Sequence, residues 1–122
     1  MNLKKFRRLC DNYDKHIGSG KSCRDCHGKK ITRQSHAIWF DRKSIQELLD
    51  QTDESTGGIK IYFGEYDEET LDEISGVDDP QAMVGKLTVV LGASNDNEDP
   101  GEESMLMNGG KICPPHCGRN II

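Results

Sequence analysis

The stretch "STGGIKIYFGEY", Ser55 to Tyr66, follows a Gly-Gly turn with strict alternation of side-chain character. Ile59, Ile61 and Phe63 fall on one side, and Lys60 and Tyr62 on the other. That is the period-2 pattern of a half-buried strand. Further on, "KLTVVLGAS", Lys86 to Ser94, carries Leu87, Val89, Val90 and Leu91 with little polar interruption, which predicts a more deeply buried strand. Between the two lies the acidic "DEETLDEISGVDDPQAMVG", with room for two short helical turns. One centres on Leu71 and Ile74. The other opens with Asp79 as cap and Pro80 at the first position, and Gly85 could end it. The two strands are expected to pair antiparallel across this acidic excursion.

Toward the N-terminus, "DRKSIQELLDQT" predicts a helix from about 42 to 52, with Ile45, Leu48 and Leu49 on its apolar face. Asp41 or Ser44 can cap it, and Ser44 with Glu47 fits a capping box. Before it, "SHAIWF", Ser35 to Phe40, reads as a short strand. The opening "NLKKFRRLCDNYDKHI" places Leu3, Phe6, Leu9 or Cys10, Tyr13 and Ile17 along one helical face, with Lys4, Lys5, Arg7, Arg8 and Asp11 opposite. Gly18 and Gly20 end that helix. The expected fold is therefore small α+β: a mostly antiparallel sheet of three or more strands, helices packed on one face, and long polar loops.

At 122 residues the chain is expected to form a single domain. Its parts are an amphipathic helix (1–17), a basic cysteine loop (18–34), an α+β core (35–94), and a polar loop with a cysteine-containing tail (95–122). Leu, Ile, Val and Phe make up only about one-fifth of the chain, so the core should be thin and would benefit from a staple.

Charge is unevenly spread. Residues 1–43 hold 12 Lys/Arg against 4 Asp/Glu, whereas 44–122 hold 4 against 17. Attraction between the two halves within one molecule is the plain explanation. A nucleic acid held by Lys4, Lys5, Arg7, Arg8, Lys29 and Lys30 is the sharper one, weakened by the scarcity of aromatic residues there. No segment approaches the ~20 apolar residues of a membrane span, so no membrane partner is expected. The N-terminal stretch lacks the apolar run of a secretory signal, and a cytoplasmic location is expected, where thiols stay reduced.

Three chemistries compete for "GSGKSCRDCHGKK", Gly18 to Lys30. A phosphate-binding loop fails because the glycine it requires would stand at Lys15, and no strand precedes it. "CRDCH" matches the attachment pattern of haem c through Cys23, Cys26 and His27. Haem c is disfavoured because the chain lacks an export signal and reads as a mixed sheet. The third chemistry is zinc. Cys23-x2-Cys26 and Cys113-x3-Cys117 together supply four thiolates, and His27 or His116 could replace one sulfur. The 86 residues between Cys26 and Cys113 exceed the usual separation in zinc ribbons.

A thiol-redox reading takes either pair as a dithiol, and "CPPHC" could close a small disulfide loop if oxidised. Zinc is preferred to redox, and redox to haem, with incidental free thiols as the plain alternative. Cys10 reads as a small buried hydrophobe. "NDNEDPGEESMLM" fails as a calcium loop, because Pro100 and Met107 would fall at ligand positions. No acid–base pair or nucleophile elbow stands out, so no catalytic residue is assigned.

The blocks "AIWFDRKSIQELL", "GGIKIYFGEYDEE", "LTVVLGAS" and "NGGKICPPHCG" together resemble a family of small uncharacterised bacterial proteins. Its pattern has a WF-then-helix block, an IxIYFG strand and a C-terminal CPPxC. The resemblance spans about residues 37–118 and implies no activity. CRDCH is not a regular part of that pattern, which leaves the C-terminal pair as the shared one. The expected function is a non-enzymatic binding module for another protein, with a structural zinc as the cofactor the sequence allows. A thiol-redox or metal-dependent enzyme is the alternative, and a nucleic-acid binder the lower one.

Overall fold

A computed structural model describes residues 1–74, 76–115 and 117. The elements are α1 (Leu3–Lys15), β1 (Ala37–Trp39), α2 (Arg42–Leu49), β2 (Gly57–Glu65), β3 (Leu87–Asn95), β4 (Leu106–Met107) and β5 (Lys111–Cys113), with three short 3-10 turns. The fold is small α+β with two antiparallel sheets. β2, β3 and β4 form one in that order, and β1 and β5 form the other.

The alternating stretch forms the longest ladder. Gly57 to Glu65 pairs residue for residue with Asn95 to Leu87, placing Ile61 opposite Leu91, Tyr62 opposite Val90 and Phe63 opposite Val89. Cross-strand partners share a face, so Tyr62 and Val90 look one way while Ile61, Phe63, Val89 and Leu91 look the other. α1 lies on the Tyr62 face. Phe6 meets Tyr62 edge-on at 4.9 Å between ring centres, and Leu9 is fully buried. Burying Phe6 and Leu9 contributes about 1.5–3 kcal/mol each. The helix comes this close because Gly64 has no side chain: a Cβ there would stand 2.9 Å from the Cβ of Leu9.

The core joins α1 to Tyr66, Met83, Val90, Leu106 and Ile112, so segments as far apart in sequence as Phe6 and Ile112 enter it. The Tyr66 hydroxyl donates to Asn108 Oδ1 at 2.7 Å, and the Asn108 amide donates to the Val89 carbonyl at 2.9 Å. This burial of a polar tip is tolerated because each group has a partner.

Several boundaries differ from the sequence-based expectation. α2 stops at Leu49 rather than near 52 because the chain turns there: the amides of Gln51 and Thr52 bond the carbonyls of Leu48 and Leu49. Of its two candidate caps, Asp41 serves, accepting from the Ser44 amide at 3.3 Å and hydroxyl at 2.5 Å. Pro80 does open a 3-10 turn, but Asp79 makes no side-chain cap bond to it. β1 does not join the main sheet. It pairs with β5, with Ala37 opposite Cys113 and Trp39 opposite Lys111.

The charge asymmetry is partly settled within the molecule. Arg8 pairs with Asp67 at 2.5 Å and Glu69 at 2.8 Å, and Lys5 with Asp72 at 3.0 Å, tying the basic helix to the acidic excursion. Exposed pairs of this kind contribute at most about 1 kcal/mol each. They nonetheless occupy two of the cations that a nucleic-acid reading requires.

Candidate functional site

Gln34 fixes the segment that follows the cysteine loop. Its side-chain carbonyl accepts from the Leu87 amide at 2.7 Å, and its amide donates to the Gly85 carbonyl at 3.0 Å. Residues 35–40 are thereby held beside the start of β3. α2 then leaves from Asp41 and brings Ile45 over the sheet face that α1 does not cover. The result is a groove of about 620 Å³ bounded by Ala37, Trp39, Ile45, Ile61, Phe63 and Val89, among others.

Trp39, Ile61 and Phe63 are each more than half exposed, at 59%, 56% and 58%. Single exposed apolar residues need no explanation, whereas three large ones around a single concavity do. Among the described residues no Asp, Glu, Lys or Arg lines the groove, and His36 is its one ionisable group. At its rim Lys111 Nζ sits 5.4 Å from the centre of the Trp39 ring. Phe63 is supported from the side by Tyr13, stacked at 5.5 Å.

The cysteines divide into two settings. In the N-terminal loop, Arg24 bridges Lys30, and the Asp25 carboxylate accepts from the amides of His27 and Lys29, both at 2.9 Å. Hydrogen bonds, chiefly from Lys29, hold the Asp25 carboxyl below its usual range. A tight turn results. Cys23 points inward, 2% exposed, and its thiol donates to Glu65 Oε1 at 3.2 Å, while Cys26 remains a half-buried free thiol at the bend and His27 is exposed. Burial pushes the Cys23 thiol up to about 12, and its hydrogen bond to Glu65 adds to the effect. Glu65 is itself shared with His16, whose Nδ1 lies 2.8 Å from the same oxygen. Cys23 is thus a neutral, structural thiol rather than a nucleophile. A thioether link to haem would require it to leave that interior position.

At the other end, Cys113 and Cys117 are joined by a disulfide, with Cα atoms 4.6 Å apart. His36 Nε2 stands 3.3 Å from Cys113 Sγ, and the three donor atoms lie within 4.8 Å of one another. The four sulfurs expected to share one zinc are not gathered: among the described residues the only such cluster is His36, Cys113 and Cys117. The physical reason is the anchoring of Cys23 to Glu65 on β2, while Cys113 belongs to the β1–β5 ribbon. His27 stays exposed on its own loop, and His116 lies outside the described residues. No local sequence signal marks His36 as a partner of Cys113, because 77 positions separate the two.

Lys4, Arg7, Lys29 and Lys30 are exposed, and Arg8 and Lys5 are engaged as described above. No helix among the described residues is long and apolar enough to cross a membrane. Compared with known proteins, the chain matches no family model, no curated protein and no solved structure. The resemblance in its sequence blocks therefore rests on those blocks alone.

Proposed function

We propose that this chain is a non-enzymatic protein-binding module, and that the groove beside β1 is its recognition surface. The observation that carries this reading is the trio Trp39, Ile61 and Phe63, each over half exposed around one apolar concavity. The occupant is an apolar segment of a partner protein, with an acidic residue flanking its anchor. Apolarity follows from a lining without acidic or basic chains other than His36, and acidity from Lys111 poised over Trp39. Aromatic anchors of this kind dominate the energetics of protein interfaces.

The chain has one tryptophan, so its emission reports directly on the groove. A random peptide library selected on the wild-type protein should yield apolar, acidic-flanked peptides that shift the Trp39 emission and lose affinity for Phe63→Lys. Peptides that bind without moving that emission, or that bind Phe63→Lys equally well, would sink the proposal.

A cytoplasmic setting suits a module without a membrane-crossing helix among its described residues, although the disulfide would persist only under oxidising conditions. A thiol-based activity is the second reading. The observation that favours it is the imidazole of His36 against Cys113. Nucleic-acid binding is third, with Lys4, Arg7, Lys29 and Lys30 as the free cations among the six proposed from sequence.

A further inference from the structure

We propose that His36, Cys113 and Cys117 form a thiol-gated metal site, closed while the disulfide is intact and able to hold one Zn²⁺ once it is reduced. The site is independent of the binding groove reading, although His36 belongs to both places.

The geometry fits a tetrahedral ion. With Zn–N near 2.0–2.1 Å and Zn–S near 2.3 Å, neighbouring donors in such a site stand about 3.5–3.8 Å apart. Here the imidazole nitrogen is 3.3 Å from Cys113 Sγ, and all three donors fall within 4.8 Å. Opening the disulfide requires the two sulfurs to separate only to coordination distance. The three-residue spacing of Cys113 and Cys117 is within the range used by zinc ligand pairs. Two thiolates and an imidazole are a donor set that suits zinc over the hard cations.

The placement of the ligands does not depend on the disulfide. Ala37 pairs with Cys113 in the β1–β5 ribbon, and the His36 amide donates to the Cys113 carbonyl at 3.0 Å. These backbone bonds keep the imidazole beside Cys113 after reduction. The Cys117 amide donates to the Pro115 carbonyl at 3.1 Å, which turns the second sulfur back toward the first. His36 is exposed and Cys117 only half-buried, so the fourth coordination position opens to solvent and can take water or an exchangeable ligand.

The chemistry balances with one co-reactant, a dithiol. It gives two electrons and two protons to the Cys113–Cys117 bond, leaving two thiols and the oxidised cyclic disulfide of the reductant. Zn²⁺ then displaces the two thiol protons, and neutral His36 supplies its lone pair.

The test uses the full chain reduced with a dithiol, freed of it without air, and titrated with Co²⁺ and then Zn²⁺. One equivalent of Co²⁺ should bind with a sulfur-to-cobalt charge-transfer band, which Zn²⁺ then abolishes. The oxidised protein should give no band. His36→Ala, a change at an exposed position, should weaken binding by more than about tenfold, exceeding what loss of an outer-shell partner costs at the low end. Cys117→Ser should abolish the band with its far-UV circular dichroism unchanged. Cys23→Ser and Cys26→Ser should leave it intact. The proposal is overturned if the reduced protein gives no band, if His36→Ala binds as tightly as wild type, or if Cys26→Ser removes the site.

Discussion

Gly64 is the position where the packing account is most exposed to refutation. α1 crosses β2 there, and a Cβ would be 2.9 Å from Leu9 Cβ and 3.4 Å from the Leu9 carbonyl carbon and oxygen. The 3.4 Å contacts are ordinary, but the 2.9 Å one is too close, and because the position of a Cβ is fixed by the backbone no side-chain rotation relieves it. Gly64→Ala must therefore push α1 away from the sheet, loosening Leu9, which is fully buried, and the Phe6–Tyr62 contact. Overpacking of this kind costs roughly 1–3 kcal/mol. Total stability for a domain this size is about 5–15 kcal/mol, so the loss is a large share of it.

Gly58 lies on the same strand with nothing within 4 Å of its would-be Cβ, and supplies the control. Gly58→Ala should be neutral or slightly stabilising, by less than about 1 kcal/mol. Urea melts followed by far-UV circular dichroism would place the midpoint of Gly64→Ala about 1 M below that of Gly58→Ala, for a slope of roughly 1–3 kcal/mol per molar. Equal midpoints would refute the close approach of α1 to β2.

Three further outcomes follow from the same contacts. Native labelling with iodoacetamide, read by peptide mass spectrometry, should modify Cys26 well before Cys23 and Cys10. Burial pushes the Cys10 thiol to about 11 and the Cys23 thiol to about 12, so few thiolates exist at neutral pH; equal rates would contradict this. Because the Cys23 value is raised above that of the unfolded chain, its stabilisation is present below about pH 9 and is lost as pH rises toward 12, so alkaline melts should flatten in Cys23→Ala. At Asp67, burial pulls the carboxyl up, but the bonds from Asn12 and Arg8 outweigh it and hold the group below its usual range. Its contribution is therefore present above about pH 4 and lost on further acidification, and Asp67→Asn should remove that part of the acid slope in urea midpoints.

The β2–β3 ladder was legible because the five alternating residues Ile59 to Phe63 suffice to fix a face, and the antiparallel pairing expected across the acidic excursion is the one found. The β1–β5 ribbon was not legible. Three-residue strands carry no period, and pairing residue 37 with 113 is decided by the core that Ile38 and Ile112 enter. The two cysteine loops, with two and three residues between their sulfurs, were both read as ligand pairs, yet they part company in the structure. Asp25 folds the first into a turn that buries Cys23 against Glu65, whereas the second closes on itself. The groove was half visible. "SHAIWF" was read as a short strand, and Ile61 and Phe63 as one side of a half-buried strand. What periodicity could not reveal is that α1 and the core occupy the Tyr62 side, leaving the other face only partly covered by α2.

The most direct test of the recognition surface is amide chemical-shift mapping of the chain with a peptide selected as above. The account predicts perturbations confined to residues 36–40, Ile61, Phe63 and 87–91, with the exposed N-terminal cations Lys4 and Arg7 unmoved. Perturbations centred on α1 or the cysteine loop, with the groove silent, would contradict it.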